Sequence, residues 1–332
     1  MMNSALRYFD DPEEFQKFIR GGRARIFVSA RGKYQGELAR IDLPRILMQR
    51  FWQSLPAVVH VKIDPRPALI FLSDAQQSPF VHSGASLGPE EICCPALGDE
   101  HHVRYPAGGT LSSCSMTAAD LAFFGRMLTG RELHAPPANR VIRPQPNLMS
   151  RLRRVHSEIV SLAANTPDIL AVPEVEKAVE QALIRAAVAC LADTDEMDKA
   201  RVNGAGGRAM RRFEELLEAR PDEPLYIPEI CAAAGVGERT LRSYCQEHLG
   251  MSPHRYLFLR RMNLARRALV RADAKATTVT GIATQYGFGE LGRFAVSYRA
   301  MFGESPSATL RGRQRPAPPR NADFPRPDSA SA

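Results

Sequence analysis

The sequence predicts an α+β protein: a β-rich N-terminal sensing domain like a barrel or jelly roll, a helical hairpin, and a C-terminal all-α domain holding a helix-turn-helix built twice. Three observations predict it. Short runs of β-branched and aromatic residues, broken by proline, glycine and aspartate, fill the first part of the chain. Apolar residues then recur at helical spacing from Leu148 onward. Between residues 225 and 311 a short helix, a glycine turn and an arginine-bearing second helix occur twice.

At 332 residues a single core is not expected, and two domains with a linker are. The expected division is a sensing domain over 1–146, a helical linker and dimerisation segment over 147–202, the double helix-turn-helix domain over 203–313 and a disordered tail over 314–332. No run of about 18 apolar residues suggests a membrane span. The start, MMNSALRYFDDPEEF, lacks the basic and then apolar order of a secretory signal. Six cysteines in a chain this long read as reduced thiols, which places the protein in the cytoplasm. The positive charge is uneven: residues 205–313 hold 17 Lys/Arg against 11 Asp/Glu, and residues 1–204 hold 24 against 23. The excess therefore lies where phosphate contacts would use it.

In the N-terminal half, RIFVS, AVVHVKI and ALIFLS read as strands, separated by turn signals such as IDPRP. A container built of such strands holds a small ligand in its mouth or interior. Thr117 reads as a helix cap with Asp120 in the capping-box place, and Leu121, Phe124 and Leu128 as the apolar face of that helix. The proline-rich segment 134–146 reads as a linker. Leu152, Val155, Ile159 and Leu162, then Val175, Val179 and Leu183, form the apolar stripe of a helical hairpin, a candidate dimer surface. NGAGG at 203–207 reads as a hinge.

In the first copy Pro228 opens a short helix, Gly235 makes the turn, and Leu241, Cys245 and Leu249 face inward on the second helix. That leaves Arg239, Thr240, Arg242, Ser243 and Gln246 outward, near the helix start where base contacts belong. Ser252 and Pro253 open a long connecting helix. In the second copy Gly287 makes the turn and Phe288, Phe294, Tyr298 and Phe302 form the core. Leu291, Gly292, Arg293, Val296 and Arg299 remain outside.

These residues carry a resemblance. GFGELGRFAVSYRAMFGESPSATLR looks like the second helix-turn-helix signature of AraC/XylS-type transcription regulators, and the first copy with SPHRYLFLRRMNLARRAL resembles the rest of that domain, over about a third of the chain. The resemblance implies a transcription factor that sets both copies in adjacent major grooves of double-stranded DNA, activates through RNA polymerase, and senses and pairs through its N-terminal half. Carried over by position, the base-reading places are Arg239, Arg242 and Ser243, then Gly292, Arg293 and Val296. Gly292 and Val296 depart from the family's usual polar and basic residues, and neither side chain can hydrogen-bond a base. The first copy is therefore expected to carry most of the discrimination, with Arg293 and Arg299 holding phosphates.

Other chemistry finds less support. His60, His82, His101, His102, Cys93 and Cys94 lie in the β-rich half, but no metal-ligand spacing joins them, so neither a metal nor another cofactor is expected. Arg151, Arg153 and Arg154 read as a solvated helix end. No phosphate loop, nucleophile elbow or paired acidic motif appears, so no enzyme activity is expected. The leading reading is a cytoplasmic, homodimeric DNA-binding activator answering a small-molecule effector. The alternatives are an effector-independent dimeric regulator and a cupin-type metalloenzyme fused to a DNA-binding domain.

Overall fold

The computed structural model describes residues 3–98, 100–193, 205–220, 223 and 225–312. The β-rich half contains β1 (Asn3–Phe9), α1 (Pro12–Phe18), β2 (Gly22–Val28), β3 (Gly36–Asp42), β4 (Ile46–Gln53), β5 (Ala57–Ile63) and β6 (Ala68–Phe71). It continues with β7 (Phe80–His82), β8 (Ala85–Leu87), β9 (Ile92–Cys94), β10 (Glu100–Tyr105) and β11 (Gly109–Met116). These strands form two open antiparallel sheets rather than a closed barrel. The seven-stranded sheet runs β1-β3-β4-β11-β6-β9-β12, where β12 is Arg140–Ile142, and the five-stranded sheet β2-β5-β10-β7-β8. The expected strand AVVHVKI is β5 residue for residue.

The proline-rich segment is more than a linker. Its Arg140–Ile142 is strand β12, pairing with β9 at the edge of the large sheet, and Ile142 is buried. Helix α1 also interrupts what read as continuous β-structure; Asp11 caps it by accepting from Glu13 N at 2.7 Å. Helix α2 (Ala118–Thr129) is capped as expected, with Thr117 Oγ1 accepting from Asp120 N and Gly130 left-handed at its end. Leu121 and Phe124 turn to the core as expected, with Gly125 buried beside them, whereas Leu128 is exposed.

Helices α3 (Pro146–Asn165), α4 (Pro167–Leu170) and α5 (Pro173–Ala192) cover the large sheet. Leu152, Ile159, Leu183 and Ala187 join Ile41, Met48, Phe71 and Met116 in one core, so the apolar stripe is buried within the chain itself. Arg153 is not merely solvated: it pairs with Glu90 at 2.9 Å and binds the Pro89 carbonyl, pinning α3 to the loop before β9.

The C-terminal domain contains α6 (Ala205–Ala219), α7 (Ile227–Ala234), α8 (Glu238–Leu249), α9 (Pro253–Arg271), α10 (Val279–Gln285), α11 (Leu291–Phe302) and α12 (Pro306–Leu310). Ala205 to Gly207 belong to α6 rather than to a hinge, and Asn203 and Gly204 lie outside the described residues, as does the tail beyond 312. Gly206 approaches the Tyr244 ring so closely that a Cβ there would sit 3.1 Å from it. A side chain there would press on the Tyr244 ring, so the glycine serves close packing.

Candidate DNA-binding surface and its seat on the β-rich domain

Each helix-turn-helix is built as its sequence dictates. In the first, Gly235 takes the left-handed conformation (φ 70°) that turns α7 into α8, and Leu241, Cys245 and Leu249 are completely buried. Sealing those three at four-residue spacing forces the opposite face outward, and Arg239, Thr240, Arg242, Ser243 and Gln246 are all exposed there. Arg242 lies 3.5 Å from Glu238 one turn back, a surface pair that leaves its guanidinium free to turn outward.

In the second copy Thr278 caps α10 and Gly287 (φ 76°) makes the turn. Phe288, Phe294 and Tyr298 are buried, with Phe302 partly buried against them. Leu291, Gly292, Arg293, Val296 and Arg299 are exposed. Val296 is 71% exposed. A Cβ on Gly292 would meet nothing within 4 Å, so the position is open, and glycine is not there for want of room. The two copies are joined by α9, 19 residues and so about 28 Å long. Ser252 caps it by accepting from Arg255 N.

The domain is seated on the five-stranded sheet, whose strands are two-faced. Ile26, Val59, His101 and Val103 point inward and line a cavity of about 90 Å³ between the sheets, with Arg20, Gln49 and Gln53 adding polar groups. The residues between them in sequence point the other way. Phe27 and Val58 join Met210, Phe213, Leu217 and Tyr256 in a core shared by both halves. His60 and His102 face the same helices. Glu214 of α6 is 2% exposed, and its Oε1 lies 3.0 Å from His102 Nε2 and accepts from Tyr256 Oη at 2.7 Å. Burial would push the Glu214 carboxyl up. The hydrogen bond and charge of His102, with His60 and Tyr256, outweigh burial and bring it down to about 2. A second clamp lies at the far side of α9, where Arg266 pairs with Asp11 at 3.0 Å and Arg267 with Glu13 at 2.8 Å.

Sequence spacing did not suggest the histidine cluster. His60 and His102 are brought side by side because β5 and β10 are antiparallel neighbours with these two residues directly opposite. Glu214 is 112 residues beyond His102. Alternation along β10 was the available signal: it places His101 on the cavity side and His102 on the helix side. Cys93 and Cys94 are both buried and outside any disulfide, and burial raises Cys93 well above the usual thiol range.

Two helix-turn-helix units joined by one long helix define a double helix-turn-helix DNA-binding domain. A profile described as Helix-turn-helix domain matches residues 230–312. The probable thc operon regulatory protein of Rhodococcus erythropolis is 42% identical over 102 residues, 31% of this chain and 31% of its own length. The XylDLEGF operon transcriptional activator of Pseudomonas putida is 33% identical over 106 residues, 32% of this chain and 33% of its own. The crystal structure of the AraC-like transcriptional activator CuxR aligns over 80% of this chain and 95% of its own, at 16% identity and a TM-score of 0.42. Through its C-terminal domain the chain belongs to the AraC/XylS family. It spans about a third of the length of the two regulators it matches. Among the described residues no helix is long and apolar enough to cross a membrane.

Proposed function

We propose that the protein is a sequence-specific transcriptional activator of the cytoplasm that binds double-stranded DNA through α8 and α11 and works with RNA polymerase. The observation that carries this reading is the pair of outward faces on α8 and α11, each set opposite a face packed into the core. The two faces are unequal in chemistry. Arg239, Arg242, Ser243 and Gln246 offer hydrogen-bond donors to base edges, while Gly292 and Val296 offer none. Discrimination is therefore assigned to α8, and phosphate contacts to Arg293 and Arg299.

Operator binding by single alanine variants tests this. Arg242→Ala is expected to cost about 1–3 kcal/mol on the operator and to narrow the gap between operator and random DNA. Arg299→Ala is expected to weaken binding evenly across sequences and to lower the salt slope by about 1. A larger loss of discrimination from Arg299→Ala than from Arg242→Ala would overturn the assignment.

The cavity between the sheets supports an effector site, because one of its two walls is the five-stranded sheet whose outer face holds α6 and α9. A small, largely apolar molecule with a polar end suits its lining. In a melting screen, such a compound is expected to raise the transition temperature of the whole chain, since binding to the folded state stabilises it. Loss of that shift on filling the cavity with Ser113→Phe would place the compound there, whereas an unchanged shift would remove the cavity from the reading. A homodimer completes the proposal. With the α3–α5 stripe buried, the exposed apolar side chains Phe123, Met127 and Leu128 of α2 are the surface that supports it.

A further inference from the structure

Where the five-stranded sheet meets α6, three potential ligands converge. One nitrogen each of His60 and His102 and a carboxylate oxygen of Glu214 all lie within 4.8 Å of one another, and all three residues are buried. They flank a cavity of about 10 Å³, room for about one small sphere the size of a water. Their hydrogen bonding is incomplete. His60 Nε2 is buried without a hydrogen-bond partner, and so is Glu100 Oε2, which faces it at 3.5 Å. Charged groups of both signs stand close: Glu218 Oε1 lies 3.6 Å from His60 Nδ1 and 3.2 Å from Arg25, Lys62 pairs with Glu100 Oε1 at 2.6 Å, and Arg211 lines the same cavity.

We propose that His60, His102 and Glu214 form a binding site for a zinc-class divalent cation, one that bridges the sensing sheet and the DNA-binding domain. Two imidazoles and a carboxylate are a donor set suited to such an ion, with a fourth position open to water or to Glu100. Ligand atoms on one tetrahedral zinc stand about 3.3 Å apart for bonds of about 2.0–2.1 Å. The His102–Glu214 separation of 3.0 Å is already near that, and the His60 nitrogen, within 4.8 Å of both, has to close in to complete the set. Tyr256 supports it from behind, its hydroxyl orienting the Glu214 carboxylate as outer partners of metal ligands do. His60 and His102 come from neighbouring strands of one half and Glu214 from α6 of the other. The ion would therefore fix the angle between the halves. The site departs from the expectation of no metal and does not depend on the DNA-binding reading.

The test uses the whole 332-residue chain, stripped with chelator and desalted. Titration with zinc chloride alone is expected to show one equivalent bound per chain and a rise in melting temperature. Cobalt(II) as a substitute is expected to give the visible absorption of nitrogen and oxygen coordination, without the ultraviolet band of thiolate ligation. His60→Gln and Glu214→Gln are each expected to weaken zinc binding at least tenfold, and His134→Ala, at an exposed histidine, to leave it unchanged. Should Glu214→Gln fail to fold, His60→Gln and the cobalt spectrum of the unaltered chain still decide. Absence of stoichiometric binding, a thiolate spectrum, or undiminished binding in folded His60→Gln overturns the proposal.

Discussion

Tyr256→Ala is expected to cost about 3–5 kcal/mol of folding stability, the range for deleting a large buried aromatic. Tyr256 is completely buried on α9, and its ring meets Phe27 at 5.8 Å and 79°, Phe213 at 5.8 Å and 53°, and His102 at 6.5 Å and 83°. Those partners come from β2, α6 and β10, so one side chain packs on both halves of the molecule. Alanine leaves a void between them and also strips Glu214 of a hydrogen bond. Tyr256→Phe separates the two contributions. It retains the packing and removes only the hydroxyl, which should cost about 1.5–3 kcal/mol, because the lost bond goes to a buried charged group. Urea unfolding of both variants beside the parent provides the comparison. A phenylalanine variant as stable as the parent would mean that the Glu214 carboxylate gains nothing from Tyr256.

Acid sensitivity gives the second large effect. His156 of α3 is completely buried, edge-on to Phe71 at 5.4 Å. Burial, with the nearby Arg50 charge, lowers it to about 3. In the unfolded chain an imidazole titrates near 6.5. Between those two values the unfolded chain binds a proton that the folded chain does not. Stability is therefore fully present above about pH 6.5 and falls as the pH drops toward about 3, by about 1.4 kcal/mol per unit. At pH 4.5 that is about 2.7 kcal/mol from this residue. Other buried histidines titrate over the same window, so the measurement is a difference: His156→Leu should lose about 2–3 kcal/mol less between pH 7 and pH 4.5 than the parent. Equal losses would show that His156 takes up no proton on unfolding.

The helical half of the molecule was legible because its rules are local. Proline opens α7 and α9, serine caps α9 and α12, and glycine ends α8 and α11, each within a few residues of the pattern it punctuates. The sheets were less legible because their inward positions are often polar. Strand β11, GTLSSCSM, is not among the runs that stand out as strands, and Ser112 and Ser115 are buried in it; β4 likewise buries Gln49 and Gln53. With polar residues on both faces the two-residue alternation that marks a strand disappears. Strand β12 was hidden by prolines on either side of it. The outward arginines of the candidate DNA-binding face followed from helical periodicity. The histidine–glutamate cluster did not, since its members meet only through strand pairing and the docking of α6.

The shared core has a thermodynamic meaning. Phe27 and Val58, from the sensing sheet, are sealed by Met210, Phe213, Leu217 and Tyr256 of the helical half. Neither half keeps these side chains dry alone, and the Asp11–Arg266 clamp ties a second pair of elements across the same boundary. Two domains in architecture thus become one cooperative unit in unfolding: loosening either side exposes apolar surface on the other, and the free energy of each is held partly in its neighbour.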